Sequence, residues 1–384
     1  MQALWLRLMA IAAALAVLVA PASAQNFETR AKFAALMDYE SGTLLFHKSA
    51  DEPLEPASMA KLMTVAVVFD ELQRGRLSMN DEFFISEHAW RDGGAASGGS
   101  TMFAEVNSKI KVSDLLRSVI IQSGNDAAIA LAEGIGGTEQ TFAQMMNQLG
   151  REIGLTGSNF TNATGLPDPS QYSTARDLAI LARFIIAQFP EYYPMFSEPE
   201  FTWNNIRQLN RNSLVEMGIG VDGLKTGHTE AAGYGTVVST AAGGRRLIAV
   251  LHGLNSMTER AEEARKLITW GTRGFEKIPV FAAGDIVAHA AVYGGKEPQV
   301  GLVGKGPIDL FVPKGADNCP TATVTYRGPL IPPVQEGTEI GKLNVMCDGT
   351  VVQVTPLYAV ETVEEGDLVR RAMDALKELA LGWL

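Results

Sequence analysis

Ser58 stands three residues before Lys61 in the run Glu-Pro-Ala-Ser-Met-Ala-Lys at 55–61. On a helix the two side chains share a face. A serine hydroxyl is a weak nucleophile until a base takes its proton, and a lysine one turn away is such a base once its ammonium pKa is depressed. To be neutral near pH 7 that lysine has to fall by about three units from about 10.4, which burial beside a second ammonium would supply. The spacing alone carries little, because Ser108 and Lys111 repeat it in Asn-Ser-Lys-Ile-Lys-Val, a short polar approach to another helix. An isolated pair of this kind is ordinarily a helix cap and a snorkelling lysine. Two further motifs change its standing: Ser123-Gly124-Asn125, inside Ile-Ile-Gln-Ser-Gly-Asn-Asp, and Lys225-Thr226-Gly227, inside Val-Asp-Gly-Leu-Lys-Thr-Gly-His. Each alone reads as a turn.

Residues so far apart need a fold to bring them together. Apolar alternation from 32 to 47, interrupted by Glu-Ser-Gly-Thr at 40–43, predicts a β-hairpin. Helical spacing follows over 59–74, 113–133, 140–153 and 174–188, the last opened by Thr174 and Asp177 as a capping box. Strand patterns return at 233–239 and 246–252, and a helix at 259–271. Strands before and after a helical block imply one sheet covered by helices. Beyond Phe-Glu-Lys-Ile-Pro at 275–279 helical periodicity stops, and short Val/Ile/Thr runs at 286–293, 308–312, 321–326 and 351–357 predict a small β-sandwich-like domain.

At the two ends the sequence addresses the compartment. Arg7 precedes an uncharged Ala/Val/Leu-rich stretch that ends Ala22-Ser23-Ala24, so 1–24 reads as a secretory signal peptide. Residues 365–384 put Leu368, Ala372, Met373, Leu376, Leu379 and Trp383 on one helix side and Arg370, Arg371, Asp374 and Lys377 on the other. That segment is too charged to span a bilayer and is suited to lie in its interface. The expected organisation is therefore a signal peptide (1–24), a catalytic domain (25–278), a β domain (279–364) and an amphipathic membrane-surface helix (365–384). A net charge of −11 argues against nucleic acid as a partner. The two cysteines, Cys319 and Cys347, fit a disulfide in an oxidising compartment or two buried thiols. Five scattered histidines without a close pair give no metal site, and no cofactor is expected.

The S-x-x-K, S-x-N and K-T-G motifs occur in the order and at spacings that resemble the serine penicillin-binding proteins and class A β-lactamases. Gly-Gly-Ser-Thr-Met-Phe (98–103), Gln-Tyr-Ser-Thr-Ala-Arg-Asp (171–177), Asn-Arg-Asn (210–212) and Leu-Ile-Thr-Trp-Gly (267–271) extend that resemblance over nearly all of the mature chain. Together they are similar to low-molecular-weight penicillin-binding proteins of the serine D-alanyl-D-alanine carboxypeptidase type. The resemblance implies an α+β fold, a transpeptidase/β-lactamase-like catalytic domain of a five-stranded antiparallel sheet with a helical lobe, followed by the β domain. It makes Ser58 the nucleophile, Lys61 its base beside Lys225, Ser123 a proton relay to the leaving D-alanine nitrogen, and Asn125 a holder of Lys61 and the substrate amide. Lys225 and Thr226 would face the substrate from a sheet edge, with Gly227 leaving room for its backbone. The N–H groups of Ser58 and His228 would form the oxyanion hole, and Arg211 would meet the terminal carboxylate.

The implied activity is removal of the terminal D-alanine from peptidoglycan pentapeptide stems, with acylation by penicillins and other β-lactams. The implied location is the periplasm, on the outer face of the cytoplasmic membrane. Three alternatives stand beside it. A class A-like β-lactamase shares the motifs, yet no E-x-x-L-N motif lies between Asn125 and Lys225 and the extra β domain is foreign to it. A D,D-endopeptidase would not need Arg211 at a free C-terminus. A non-catalytic cell-wall scaffold would not need the intact serine and lysine set.

Overall fold

The computed structural model describes residues 27–314, 320–347, 350–368, 370–372 and 374. The expected signal peptide and most of the expected C-terminal helix lie outside the described residues. Strands of the two main sheets and the α-helices are numbered separately here, in chain order.

β1 (Phe33–Asp38) and β2 (Leu44–Lys48) form the expected hairpin. Its turn is tied by Asp38, whose carboxylate accepts from both the amide and the hydroxyl of Ser41. β3 (Val221–Thr229), β4 (Gly233–Thr240) and β5 (Leu247–Leu254) complete an antiparallel sheet of order β2-β1-β5-β4-β3. β5 is buried along all eight residues, since both faces of the sheet are covered. Side chains that alternate along a strand feed two different cores. Ala35 and Met37 of β1, with Ile248 and Val250 of β5, join the helical lobe. Ala34 and Leu36, with Leu247, Ala249 and Leu251, join the opposite core.

The lobe lies between β2 and β3 in sequence and holds α1 (Lys61–Gln73), α2 (Glu87–Gly93), α3 (Val112–Arg117), α4 (Asn125–Gly136), α5 (Glu139–Glu152) and α6 (Ala175–Gln188). α1 is buried nearly all round, as its unbroken apolar run requires. α7 (Met257–Arg273) covers the other face of the sheet. Thr174 does cap α6, accepting from Asp177 N at 3.0 Å. The Asp177 carboxylate, however, turns back to Gly157 N and Ser158 Oγ, so half of the expected capping box is spent on anchoring the preceding loop.

The helix expected over 113–133 is broken. After α3 the chain makes a π-turn, Ser118–Gln122, and Ser123 takes a left-handed conformation at φ 74° before α4 begins. The amides of Ser123 and Gly124 both reach the Ser118 carbonyl, which ends the first helix and re-aims the second.

The β domain contains β6 (Phe275–Phe281), β7 (Ala288–Ala291), β8 (Gln299–Val303), β9 (Ile308–Pro313), β10 (Thr321–Tyr326), β11 (Glu339–Cys347) and β12 (Thr350–Ala359). β6 and β9 make a two-stranded ribbon, while β7-β8-β12-β11-β10 form the larger sheet. Val300, Leu302, Leu310, Leu343, Val345 and Leu357 fill the core that the two share. β12 also pairs with β2 through Val354 and Leu44, making the sheets of the two domains continuous. Cys347 is buried and disulfide-bonded, and Cys319 lies outside the described residues. No helix among the described residues is long and apolar enough to cross a membrane.

Candidate active site

Ser58 sits in a 3-10 turn, Ala57–Ala60, that leads into α1. Three residues per turn place it directly over Lys61. It does not serve as a helix cap: the first α1 position is preceded by Ala60, and no side chain bonds the helix amides. The turn is held from two sides by glycines. A Cβ on Gly165 would lie 2.0 Å from the Ala57 carbonyl oxygen, and one on Gly227 would lie 3.0 to 3.1 Å from Met59 and Pro56. The missing side chain of Gly227 thus makes room for the serine turn to pack on β3.

Lys61 is fully buried, and its amine has three neighbours. Nζ donates to Asn125 Oδ1 at 2.7 Å and to the Thr164 carbonyl at 2.5 Å, and lies 3.2 Å from Ser58 Oγ. Burial, and after it the positive charge of Arg211, push its pKa from 10.5 down to about 7, against the opposing pull of Asp126 and Glu139. Arg211 thus adds its charge to the mutual repulsion of Lys61 and Lys225. Lys225, on the edge strand β3, is itself buried, and burial followed by the charges of Lys61, Arg211 and Arg260 pushes it well below its ordinary value. Its Nζ donates to the Thr226 carbonyl at 2.9 Å.

Ser123 is 1% exposed, and its hydroxyl has no hydrogen-bond partner among the described residues. A buried, unsatisfied hydroxyl on a left-handed non-glycine residue is held there by its surroundings. The neighbouring Asp126 does that holding. Its carboxylate accepts from Thr101 Oγ1 and from the amides of Met102, Ala104 and Ala127, which seats α4 against the 98–104 loop.

Arg211 is exposed, while its amide bonds the Ile121 carbonyl beside the π-turn. Its carbonyl accepts from Arg260 Nη2 at 3.2 Å. Arg260, on α7, is 8% exposed and lies over the Tyr234 ring, and burial lowers its pKa to about 10. Among the described residues neither arginine pairs with a carboxylate. Lys61, Lys225, Arg211 and Arg260 thus act on one another through their charges, and among the described residues none forms an ion pair with a carboxylate. The imidazole of His228 is exposed and stacked on Tyr234 at 3.9 Å between ring centroids. Thr226 is buried beside Lys225.

Of the residues singled out in the sequence, Ser58, Lys61 and Asn125 are joined by hydrogen bonds, Lys225 and Arg211 act on Lys61 through their charges, Gly227 packs on the serine turn, and Thr226 and His228 follow Lys225 along β3. Ser108 and Lys111 have no place in this set: Ser108 Oγ donates to the Glu105 carbonyl, and Lys111 ends a short strand with its side chain exposed. The sequence reading missed Thr164, Gly165, Asp126 and Arg260. Asn-Ala-Thr-Gly at 162–165 is a recognisable turn signal, and Asp126 adjoins a motif already noted. Arg260 carries no local signal, being one of many charges on an amphipathic helix.

A serine under a buried amine of lowered pKa, beside an unpaired sheet edge and an unneutralised cationic end, is the equipment of an enzyme that acylates itself on serine while gripping a peptide with a free carboxylate. Comparison with known proteins agrees. The D-alanyl-D-alanine carboxypeptidase family profile matches residues 20–256, and the profile of the penicillin-binding protein 5 C-terminal domain matches 275–365. D-alanyl-D-alanine carboxypeptidase DacA of Haemophilus influenzae is 39% identical over 344 residues, covering 89% of this chain and 87% of that protein. DacC of Escherichia coli is 38% identical over 342 residues, covering 88% and 86%. The crystal structure of penicillin binding protein 5 from Haemophilus influenzae superposes with a TM-score of 0.70 at 38% identity, covering 89% of this chain and 99% of that one. The chain belongs to the D-alanyl-D-alanine carboxypeptidase family. The activity that goes with it is that of a serine-type hydrolase.

Proposed function

We propose that the protein releases the terminal D-alanine of peptidoglycan stem peptides through an acyl-enzyme on Ser58. The carrying observation is the coordination of Lys61. Asn125 Oδ1 and the Thr164 carbonyl can only accept, so they take both hydrogens of a neutral amine and leave its lone pair facing Ser58 Oγ. The Ser58 proton moves to Lys61 Nζ as Oγ bonds to the penultimate D-alanine carbonyl carbon. The resulting oxyanion lies between the N–H groups of Ser58 and His228.

As the C–N bond breaks, the leaving nitrogen takes a proton through Ser123, whose hydroxyl is unpartnered and whose neighbour Asn125 binds Lys61. With its first proton passed to the departing D-alanine, Lys61 takes a proton from water as the water oxygen bonds to the ester carbon; the ester C–O bond then breaks and Ser58 Oγ recovers that proton from Lys61 Nζ. The stem peptide lies along β3, with its backbone against Thr226 and its terminal carboxylate toward Lys225 and Arg211. A carboxylate arriving there restores the charge that burial weakens on Lys225. That preference for a free C-terminus favours a carboxypeptidase over an endopeptidase. Penicillins present an acyl-D-Ala-D-Ala-like amide and carboxylate to the same groups. This reading is supported by the likeness to penicillin binding protein 5 of Haemophilus influenzae.

Export by the leader at 1–24, a periplasmic location and attachment to the outer face of the cytoplasmic membrane through 365–384 belong to the same proposal. Their support is the sequence of those segments. The test is fluorescent-penicillin labelling of residues 25–384 together with D-alanine release from a pentapeptide. Ser58→Ala should lose both signals, and Ser108→Ala should keep both. Labelling or turnover that survives Ser58→Ala removes the assignment.

A further inference from the structure

Behind the Thr164 carbonyl the chain places a carboxylate with no part in the steps above. Glu139 is the first residue of α5, and its Oε1 accepts from the Ala163 amide at 2.9 Å. Ala163 is flanked by the two contacts that seat α1. Its own carbonyl accepts from Thr64 Oγ1 at 2.7 Å, and the next carbonyl, that of Thr164, accepts from Lys61 Nζ. The side chain of Asn162 accepts from the amides of Thr164 and Gly165, so the segment is braced as one turn. Glu139 is the carboxylate that fastens this turn to the helical lobe.

We propose that Glu139 is a positioning residue for the Ser58–Lys61 pair: through the Ala163 amide it fixes the Thr164 carbonyl, and its charge faces Lys61 from behind the turn. The inference rests on the acyl-enzyme reading above. The charged groups around Lys61 are Arg211 from the turn before β3, Lys225 on β3, Asp126 on α4 and Glu139 on α5. Asp126 is engaged by the 98–104 loop. Around Glu139 stands His88 of α2, with Nε2 3.9 Å from Glu139 and 3.4 Å from Asp92, and Nδ1 2.9 Å from Glu133. The Glu139 side chain is 18% exposed, so its charge acts through protein more than through water.

A nearby carboxylate favours the ammonium, and both Glu139 and Asp126 raise the Lys61 pKa against burial. Removing the charge should let that pKa fall further. A base that must be neutral is then available at lower pH, and the acidic limb of acylation should move down with it.

Glu139→Gln keeps an acceptor for the Ala163 amide and removes the charge, whereas Glu139→Ala removes both. The titration of Lys61 is read directly by NMR of labelled lysine side chains, assigned with Lys61→Arg. Acylation by fluorescent penicillin is followed across pH in parallel. Expected for Glu139→Gln are a Lys61 titration and an acidic limb lowered by about half a unit to one unit, with a plateau rate within about threefold of wild type. Glu139→Ala should slow acylation about tenfold or more at every pH, because a misplaced general base loses its alignment. An unmoved titration in Glu139→Gln, or an undiminished plateau in Glu139→Ala at unchanged thermal midpoint, overturns the proposal. Should wild-type protein fail to acylate while the Lys61 titration still shifts in Glu139→Gln, the acyl-enzyme reading falls and the electrostatic assignment stands.

Discussion

Lys61 sits where an ammonium is least welcome: it is completely buried, near Arg211, and bonded to two carbonyl oxygens. Folding lowers its pKa from 10.5 to about 7, so between those values the unfolded chain binds the proton that the folded chain releases. Stability contributed by this group therefore rises as pH climbs from about 7 toward 10.5, and is lowest below pH 7. Lys61→Met abolishes the base and also removes the burial penalty, although it leaves Asn125 Oδ1 and the Thr164 carbonyl short of a donor. The net expectation is a variant more stable than wild type by about 1 to 3 kcal/mol at pH 6, with the gap closing by pH 9.5. Urea unfolding at the two pH values reads it, and a gap that does not depend on pH would show that Lys61 is not the group titrating. The lysine and its serine were legible in the sequence because the pair is local, three residues apart on one turn. Thr164 was not, because it contributes a backbone carbonyl, which every residue type possesses, and only the fold brings it to the amine.

Between elements, the serine turn is positioned by what is missing from its neighbours. β3 approaches at Gly227, and the 161–166 loop approaches at Gly165, whose φ of +77° would already strain any side chain. Gly165→Ala places a methyl against the Ala57 carbonyl, and relief requires either the loop or the Ser58 turn to move. A loss of about 2 to 4 kcal/mol in unfolding free energy is expected. A fall of about a hundredfold in penicillin acylation is also expected, since a shift of about 1 Å in the nucleophile has that effect. Stopped-flow acylation and thermal melts measure the two. A variant that melts early yet acylates at the wild-type rate would separate the loop from the nucleophile. The hairpin, β4, β5 and most of the helices could be read from periodicity, as could the capping of α6 by Thr174, whereas β3 entered only through the resemblance. The unbroken helix expected over 113–133 could not survive, because its apolar spacing continues through Ser123 while the backbone does not. The π-turn and the left-handed Ser123 redirect the chain inside a run whose apolar residues continue, and a count of apolar positions does not register that change.

The two domains of the whole molecule meet through shared core as well as through shared strands. Phe275 of β6 and Phe311 of β9 belong to the hydrophobic cluster beneath the catalytic sheet, and Phe275 packs edge-on against Trp270 of α7 at 4.7 Å. At the seam Thr43 and Thr355 share a hydrogen bond, and the guanidinium of Arg245 lies 4.0 Å over the Phe311 ring. The same Arg245 pairs with Asp38 at 2.7 Å, and that carboxylate is 3% exposed at the hairpin turn. None of this was visible in the sequence, where Arg245 is one of two arginines after Gly-Gly and its partners lie 207 positions upstream and 66 downstream. Arg245→Ala removes a cation–π contact with the β domain and leaves the buried Asp38 charge with only the Ser41 amide and hydroxyl. Loss of a partner from a buried pair destabilises by about 3 kcal/mol, and the cation–π contact adds about 1 kcal/mol. Because the contact joins the domains, a single unfolding transition is expected in wild type, and the loss should appear as its separation into two. Penicillin acylation at 25 °C should stay within about threefold of wild type, Ser58 being held by α1, β3 and the 161–166 loop. Differential scanning calorimetry, with acylation competence marking the catalytic domain, decides it. A single transition moved by less than about 1 kcal/mol would mean that the sheet continuity through Leu44 and Val354, and not Arg245, carries the coupling between domains.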